Sequence, residues 1–304
     1  MAAYTSYDTV GKKEDISDVI TLISPTKTPF TSLIKEEKIH NTIFQWQEDA
    51  LASPNLSNAQ VDGFSASDAA PVSTVMRNNV TQILAKTVNI AETTEAVSRY
   101  GRAKEVAYQL GKYSAEVKRD LEAVMLSGQT SVAGSNAVAR TMNSFQAQVD
   151  ATLLFKTGGA STVMPETTGA ANLMGTLQAL YVNGVDPEIL MVPPAESIVI
   201  ANYASSAGRY RTLQTGASDS QTAIVNVIDL YVSPFGEVKV ILNRLQLATD
   251  YLIFDPTMWS RPVLRPWSRE TLAKTGDNTR HMIVGESSLR HKNYFASAIV
   301  RKSA

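Results

Sequence analysis

Residues 100–128, YGRAKEVAYQLGKYSAEVKRDLEAVMLSG, are the stretch that decides the fold. Apolar side chains recur there every three or four positions, which places them on one face of a helix. They are Val106, Leu110, Tyr113, Val117, Leu121 and Val124. Gly128 follows where a helix can end in the left-handed conformation. At about 1.5 Å per residue, a helix from Gly101 to Ser127 is roughly 40 Å long. We predict that a sheet packs along this helix.

The composition excludes several classes of function. The 28 Lys and Arg residues balance 29 Asp and Glu residues, so no charge excess attracts nucleic acid or a membrane surface. The chain has no cysteine, which removes disulfides, thiolate nucleophiles and sulfur-ligated zinc. No apolar run approaches the roughly 18 residues that span a bilayer, and the first residues lack the apolar core of a signal peptide. We therefore expect a protein that folds in a cytoplasm, without a membrane partner.

The sequence pattern of the first 40 residues predicts an arm and not a part of the core. Residues 14–23 have the spacing of a short amphipathic helix, and a proline soon afterwards ends it. A second short turn begins at Thr28 and carries Phe30 and Leu33. Because these apolar faces are small, we expect a partner surface to cover them.

Two strand-like runs, over residues 43–47 and 80–90, flank a long polar segment. The segment is rich in serine, alanine and asparagine and contains Pro54, Gly63 and Pro71. A hairpin loop ordinarily has about 2 to 5 residues. An isolated two-stranded ribbon is also only marginally stable in water. We therefore predict a projecting two-stranded arm that another chain stabilises, with a disordered surface loop as the alternative.

The remaining segments predict a linker, a compact unit and a group of strands. Residues 129–165 are low in charge and favour a linker, whereas residues 166–244 read as a compact α/β unit. That unit has a predicted helix over 168–183, a buried strand over 189–192, a helix over 195–203, a loop over 203–221 and a hairpin around Gly236. The last sixty residues are mostly strand, and the prolines within 261–266 favour an edge.

This order of elements resembles the major capsid proteins of tailed phages, which have the Hong Kong 97 fold. The opening KKEDISDVITLISPTKTPFTSLI, the hairpin VNVIDLYVSPFGEVKVILNR and the ending GDNTRHMIVGESSLRHKNYFASAIVR carry the resemblance, which covers essentially the whole chain. It implies an α+β fold with five segments. They are an N-terminal arm (1–40), an extended hairpin or E-loop (41–95), a peripheral domain with a spine helix (96–165), an inserted axial domain (166–244) and C-terminal strands of the peripheral domain (245–304).

The resemblance implies a structural protein without a catalytic, metal or cofactor site. Such a protein assembles with itself as hexamers and pentamers into an icosahedral shell around double-stranded DNA, without sequence specificity. A portal protein and scaffolding or decoration proteins are the other implied partners. The implied location is the virion, assembled in the host cytoplasm. The expected contact residues are Phe30 and Leu33 in the arm, Trp46, Phe64 and Arg77 in the E-loop, and Gly276, Asp277 and Arg280 in the loop called the P-loop in this family.

Two rival functions stay open at this point. An encapsulin-like compartment has the same fold and encloses protein cargo in place of a genome. A soluble serine hydrolase would use Ser287, in a GESSL stretch that loosely resembles a nucleophile elbow, with His281 or His291 as base. Neither histidine has the spacing of a zinc-binding helix motif.

Overall fold

The computed structural model describes residues 24, 26–66, 68, 70–98, 104–157, 172–206 and 230–302, which confirm the α+β class. The helices are α1 (Pro29–Leu33), α2 (Glu92–Ala96), α3 (Glu105–Met125), α4 (Leu173–Val182) and α5 (Pro194–Ser206). The strands are β1 (Lys35–Lys38), β2 (Ile43–Glu48), β3 (Val75–Val80), β4 (Gln82–Ala91), β5 (Leu154–Thr157), β6 (Ile189–Val192), β7 (Leu230–Ser233), β8 (Gly236–Leu242), β9 (Asp250–Phe254), β10 (Trp259–Leu272), β11 (Asn278–Ser287), β12 (Arg290–His291) and β13 (Ser297–Lys302). The predicted helix over 14–23 and most of the predicted loop over 203–221 lie outside the described residues.

Helix α3 is the helix predicted from the apolar spacing. Its buried face includes Val117, Leu121 and Met125. The helix ends at Met125, and Gly128 then has a φ of 79°, a conformation that glycine adopts without strain. The predicted end is confirmed, whereas the predicted start at Gly101 lies outside the described residues.

The chain divides into two compact units. Of the described residues, the smaller unit takes Ala85–Val117 and Ser268–Val284, and the larger takes Lys27–Leu84, Lys118–Trp267 and Gly285–Ala304. Strands β4, β10 and β11 and helix α3 each continue from one unit into the other. The boundaries predicted near residues 96, 166 and 245 therefore differ from those of the units, because long elements run through both.

The smaller unit has a small core of its own. Val88 and Ile90 of β4 and Leu110 of α3 are buried together. Val106, Tyr113 and Ile283 pack against them. Alternate residues of a strand thus meet one stripe of a helix, as the periodicity of both elements requires.

The larger unit contains a six-stranded sheet in the order β5-β13-β9-β6-β8-β7. Strand β13 lies parallel to β5 and antiparallel to β9, while β6 lies antiparallel to β9 and parallel to β8. Every residue of β6 and β9 is buried, which confirms the strand predicted over 189–192. Strands from the predicted axial segment therefore share one sheet with strands from the C-terminal segment.

Four aromatic side chains form the centre of the larger core. Phe30 makes edge contacts with Phe145, Phe254 and Trp259, with ring centroids 5.5 to 5.9 Å apart. Phe145 stacks on Trp259 at 4.3 Å. All four side chains are at most 1% exposed. Offset and edge contacts of this kind stabilise a core beyond the area that they bury.

The segment that carries Phe30 is anchored in this core, which corrects the prediction of a free arm for residues 29–38. The carboxylate of Glu122 accepts hydrogen bonds from the backbone N–H groups of Phe30 and Thr31, both at 2.8 Å. Burial raises the pKa of Glu122, while these hydrogen bonds act in the opposite direction. Strand β1 then pairs in parallel with β10. The aromatic partners of Phe30 lie more than a hundred positions away in sequence, so local apolar spacing did not reveal them.

The predicted linker over 129–165 is wrong for the part that the structure describes up to residue 157. Met142, Phe145, Val149 and Leu153 are buried in the larger core. Short 3-10 turns at Gln146–Gln148 and Ala151–Leu153 carry this segment, and neither has a period long enough to show in the sequence.

The predicted edge position of the strand over 261–266 is also wrong, since β10 lies between β1 and β11. Pro262 is tolerated there because its carbonyl oxygen accepts from Ser288 N at 2.8 Å, just beyond the end of β11. The N–H and C=O groups of one residue point to the same side of a strand. The side of Pro262 that lacks an N–H group therefore faces residues just beyond the end of β11. The pairing of β10 with β11 has ended there, so no donor is needed from Pro262.

Candidate functional site

Strands β2 and β3 form a two-stranded antiparallel ribbon, which we call the arm. Its register runs from Ile43 opposite Val80 to Glu48 opposite Val75. The first predicted strand is confirmed. The second strand is Val75–Val80, because the predicted run over 80–90 belongs largely to β4. Three consecutive polar residues, Arg77 to Asn79, hide the alternation of β3 in the sequence.

The base of the arm is held by a compact set of contacts among Trp46, Glu48, Arg77 and Tyr294, which we call the arm root. The carboxylate of Glu48 accepts from Arg77 Nε and from the backbone N–H of Tyr294, both at 2.9 Å. The guanidinium of Arg77 lies 4.2 Å from the centre of the Tyr294 ring. Burial raises the pKa of Tyr294 to about 12. The arm root therefore combines an ion pair, a cation–π contact and aromatic packing in one place.

The arm root continues into the aromatic core through His291. This ring stacks at 5.9 Å on Tyr294 and at 4.0 Å on Trp259. Its Nδ1–H donates to the carbonyl oxygen of Gln148 at 2.7 Å, and its Nε2 accepts from the hydroxyl of Ser297 at 3.0 Å. Burial lowers the pKa of His291 to about 3, so the imidazole is neutral and both nitrogens are satisfied.

Buried polar groups also fix the strand ends below the arm. The side chain of Asn79 is fully buried, donates to Leu289 O at 2.6 Å and accepts from Asn143 N at 2.8 Å. Glu286 accepts from Thr81 Oγ1 at 2.6 Å, Arg140 at 2.5 Å and Arg265 at 2.9 Å. A carboxylate with these three donors has its charge balanced, which makes burial of the group tolerable.

The segment Asp49–Thr74 between the two strands, which we call the arm loop, has the opposite character. Its large apolar side chains are exposed to solvent. They are Leu51 (100% exposed), Leu56 (98%), Val61 (77%), Phe64 (53%) and Val72 (83%). Exposed apolar residues occur singly on any protein surface, but several on one short segment mark an interaction surface. Of this group, only Phe64 was among the contact residues predicted from the sequence, although the other apolar residues stand in the same serine-rich segment.

In the smaller unit, the predicted P-loop is the connection between β10 and β11. Gly276 and Asp277 are exposed, and Asp277 O accepts from Glu92 N at 3.3 Å. The carboxylate of Glu92 accepts from Lys274 and from Thr279, both at 2.5 Å. These hydrogen bonds lower the pKa of Glu92. Arg280 is half-buried, and its Nε has no hydrogen-bond partner in the described part of the chain.

The structure places the predicted contact residues in three different settings. Phe30 is fully buried in its own chain, so its prediction as a contact with another subunit is wrong. Leu33 is half-buried at the border of the same core. Trp46 is 6% exposed and Arg77 is paired with Glu48, so both lie at the arm root. Phe64, Gly276 and Asp277 are exposed, and their contacts with other subunits stay predictions.

The geometry gives no support to the hydrolase alternative. Both ring nitrogens of His291 are occupied by Gln148 and Ser297, so this ring is not available as a base for Ser287. The ring nitrogens of His281 contact Thr271 and Arg269. Burial first, and the charge of Arg269 second, lower the pKa of His281. No group of three or more acidic or histidine side chains among the described residues is placed to hold a metal ion. No helix in the same residues is long and apolar enough to cross a membrane.

Comparison with solved structures defines the fold. The capsid of a native GTA particle aligns over 98% of both chains with a TM-score of 0.66 at 10% identity. A structure from Microbacterium phage Oxtober96 aligns over 99% of this chain and 100% of the other, with a TM-score of 0.62 at 13% identity. The SrpI encapsulin of Synechococcus elongatus PCC 7942 aligns over 99% and 96% of the two chains, with a TM-score of 0.62 at 10% identity. The fold is therefore the Hong Kong 97-type shell fold.

Sequence comparison then identifies the family. The family model of the SU10 major capsid protein matches residues 3–304. A major capsid protein of Escherichia phage Phieco32 is 33% identical over 347 residues, covering 99% of this chain and 97% of that protein. The chain belongs to the SU10 major capsid protein family. It is a major capsid protein of a tailed phage and a component of the virion.

Proposed function

We propose that copies of this chain assemble as hexamers and pentamers into a closed icosahedral shell around the double-stranded DNA of the phage. The arm carries this proposal: its root is fixed by buried contacts, while its loop exposes Leu51, Leu56 and Val72 almost completely. Burying apolar surface stabilises by about 25 cal/mol per Å², so a neighbouring copy gains free energy by covering this loop. The arm loop of one copy and the surface of the neighbouring copy that covers it are different surfaces, and contacts of that kind form rings when the rotation between successive copies closes.

The proposed contacts between subunits involve the exposed members of the predicted set and the half-buried Arg280. Phe64 contributes from the arm loop, Gly276 and Asp277 contribute from the β10–β11 connection near the three-fold axes, and Arg280 contributes from the start of β11. Hydrogen bonds from Lys274 and Thr279 to Glu92 hold that connection in one shape, which limits the entropy lost when it is bound. Trp46 and Arg77 position the arm and do not themselves face a neighbour.

The proposed role toward DNA is enclosure without base recognition. The formal net charge of the whole chain is −1, so the subunit as a whole offers no cationic excess for tight binding to phosphates. A portal protein for DNA entry and scaffolding or decoration proteins complete the proposed set of partners. The chain has a structural role with no catalytic step of its own.

Electron microscopy of the expressed and purified protein tests the assembly. We expect closed shells built from rings of five and six subunits, whereas a protein that remains monomeric at high concentration contradicts the proposal. Particles from infected cells distinguish a genome shell from an encapsulin-like compartment. DNA that survives nuclease treatment of intact particles supports the genome shell, and protein cargo without protected DNA contradicts it.

A further inference from the structure

A groove of about 440 Å³ lies in the larger unit between the start of β4 and a short hairpin over residues 132–141. Its lining residues include Ile83, Gly134, Ser135, Val138 and Arg140. Ile83 and Val138 are 49% and 53% exposed, so nothing in the described part of the chain covers these two aliphatic side chains completely. The volume is sufficient for a bulky apolar side chain.

The groove is formed before any partner binds. Val132 and Thr141 exchange two backbone hydrogen bonds, and Ser135 N donates to Val138 O at 2.9 Å. Gly134 has a φ of 77°, and a Cβ atom there would lie 2.5 Å from Cγ of Arg140. Arg140 is in turn held by Glu286 at 2.5 Å. A preformed groove loses little entropy when it is occupied.

The arm loop contains a turn that fits such a groove. Phe64 N donates to Val61 O at 3.1 Å, and Gly63 between them has a φ of 77°, as a type II turn requires at its third position. The turn presents Val61 and Phe64 together, and both side chains are exposed. Phe64 is the one aromatic residue of the arm loop, and aromatic side chains are frequent anchors of protein interfaces.

We propose that the Val61–Phe64 turn of one copy is seated in the groove between Ile83 and Val138 of a second copy. This inference rests on the proposed self-assembly and names the surface that receives the arm loop. The chain does not seat its own turn there, because Phe64 and Ile83 are each about half exposed in the same molecule.

The charges of the two surfaces are complementary in sign. The arm loop contains Asp49, Asp62 and Asp68 and no basic residue. Arg140 is the charged residue among those that line the groove. Asp62 lies within the turn itself, so seating Phe64 brings an acidic side chain toward Arg140. Opposite charges at an interface fix its register and exclude the reversed arrangement.

The position of the groove makes the proposed contact head-to-tail, because the arm loop and the groove are different surfaces of the chain. Asn79 of β3 is hydrogen bonded to Asn143, just after the groove hairpin, so the groove lies near the base of the arm. Phe64 is joined to Val75 by a chain that spans at most roughly 40 Å when extended. An arm that leaves one copy and ends near the base of the next arm produces the same step repeatedly, and such a step forms a ring when the rotation between successive copies closes.

The absence of cysteine from the natural sequence allows a direct cross-linking test. Single variants Phe64→Cys and Val138→Cys are each expressed, mixed as subunits, assembled and oxidised. We expect a disulfide-linked dimer only in mixed shells, because a disulfide needs Cα atoms within about 7 Å. A cross-link between two different variants is necessarily between two chains. The matched control combines Phe64→Cys with Val232→Cys, an exposed valine on β7, and should give several-fold less dimer.

The outcomes separate this inference from the proposed function. Wild-type protein that forms no shells contradicts both. Shells whose mixed cysteines stay unlinked, or link no better than the β7 control, contradict the seating and leave the shell intact. A second readout does not depend on disulfide geometry: Val138→Asp should fold with the wild-type circular dichroism spectrum yet lose shell formation. Normal assembly of that variant overturns the proposed groove.

Discussion

The arm root and the arm loop belong to one hairpin, yet they are stabilised in different ways. At the root, Glu48 is 8% exposed and has two hydrogen-bond donors, and Trp46 is 6% exposed. In the loop, Leu51 is fully exposed, and the regular structure is limited to short turns. The contacts of the root therefore lie within one subunit, whereas the loop leaves its large apolar side chains exposed to solvent.

This difference indicates how a single chain can be both a stable subunit and an assembling one. Contacts at the root fix the direction of the arm before assembly, so its positioning does not have to be supplied by the interface. Contacts of the loop contribute nothing until a neighbour arrives. Substitutions at the root should change unfolding of the separate subunit, and substitutions in the loop should change assembly alone. Unfolding is best measured on unassembled subunits, because assembly itself adds stability that depends on concentration.

The largest effect on unfolding is expected for Trp46→Ala. Removing a buried tryptophan leaves a cavity and typically costs about 3 kcal/mol. Trp46→Phe is the matched control, because it keeps the aromatic contacts with Phe44 and Tyr294 and removes an indole N–H that has no hydrogen-bond partner among the described residues. Urea titration followed by circular dichroism should show a large loss for alanine and a small one for phenylalanine. Equal losses in the two variants would show that packing of the rings is not what holds the root.

Acid should destabilise the subunit through His291, beside the root. Its pKa is about 3 in the folded chain and about 6.5 when unfolded, so between these values the unfolded chain binds a proton that the folded chain excludes. Its contribution is therefore fully present above pH 7 and is lost as pH falls, by about 2 kcal/mol at pH 5.

Urea midpoints at pH 8, 7, 6 and 5 test this dependence. His291→Asn removes the titrating group while its amide can still donate to Gln148. We expect the variant to be less stable, but its slope between pH 7 and pH 5 should be smaller than that of the wild type by about 0.7 proton on average. An unchanged slope would assign the acid sensitivity to other groups.

How far the sequence predicted the molecule can be judged from the same comparison. Local periodicity was sufficient for α3 and for the buried strand β6, because both patterns are complete within a few turns or residues. For the arm loop, length and composition were sufficient, because they indicated a segment that is not packed. It failed for the segment of Phe30, which resembled an arm until its aromatic partners were seen.

The root could not be predicted from the sequence for a similar reason. Glu48 and Arg77 stand 29 positions apart, and Tyr294 is 246 positions from Glu48. No spacing rule connects residues at such separations. Arg77 was singled out as a contact residue, but its partner proved to be within the same chain. Burial and pairing over long separations are properties of the fold, and only the exposed end of the arm has a signature that is local in sequence.

A smaller effect is expected for Arg77→Met. Glu48 keeps its bond from Tyr294 N but loses its cationic partner, and the contact of the guanidinium with the Tyr294 ring is lost. Because the Arg77 side chain is 28% exposed, water screens part of the change, and we expect a loss of about 1 kcal/mol. A double-mutant cycle with Glu48→Gln isolates the pair. Additive losses would mean that the two side chains do not depend on each other.

The smallest effect on unfolding, and the clearest on assembly, is expected for Leu51→Ser. Leu51 is 100% exposed, so its replacement should change the free energy of unfolding by less than about 0.5 kcal/mol. Leu121→Ser, at a site that is 1% exposed, is the matched control and should lower the free energy of unfolding several times as much.

If a neighbour covers Leu51 in the shell, the serine variant should have a higher critical concentration for assembly, measured by light scattering, while the stability of the separate subunit is unchanged. Because each subunit carries one such contact, a small loss of contact free energy at one position is repeated at every subunit of a ring. The substitution should therefore affect assembly more strongly than it affects folding. Unchanged assembly of Leu51→Ser would remove this residue from the interface and restrict the contact to the other exposed residues of the arm loop.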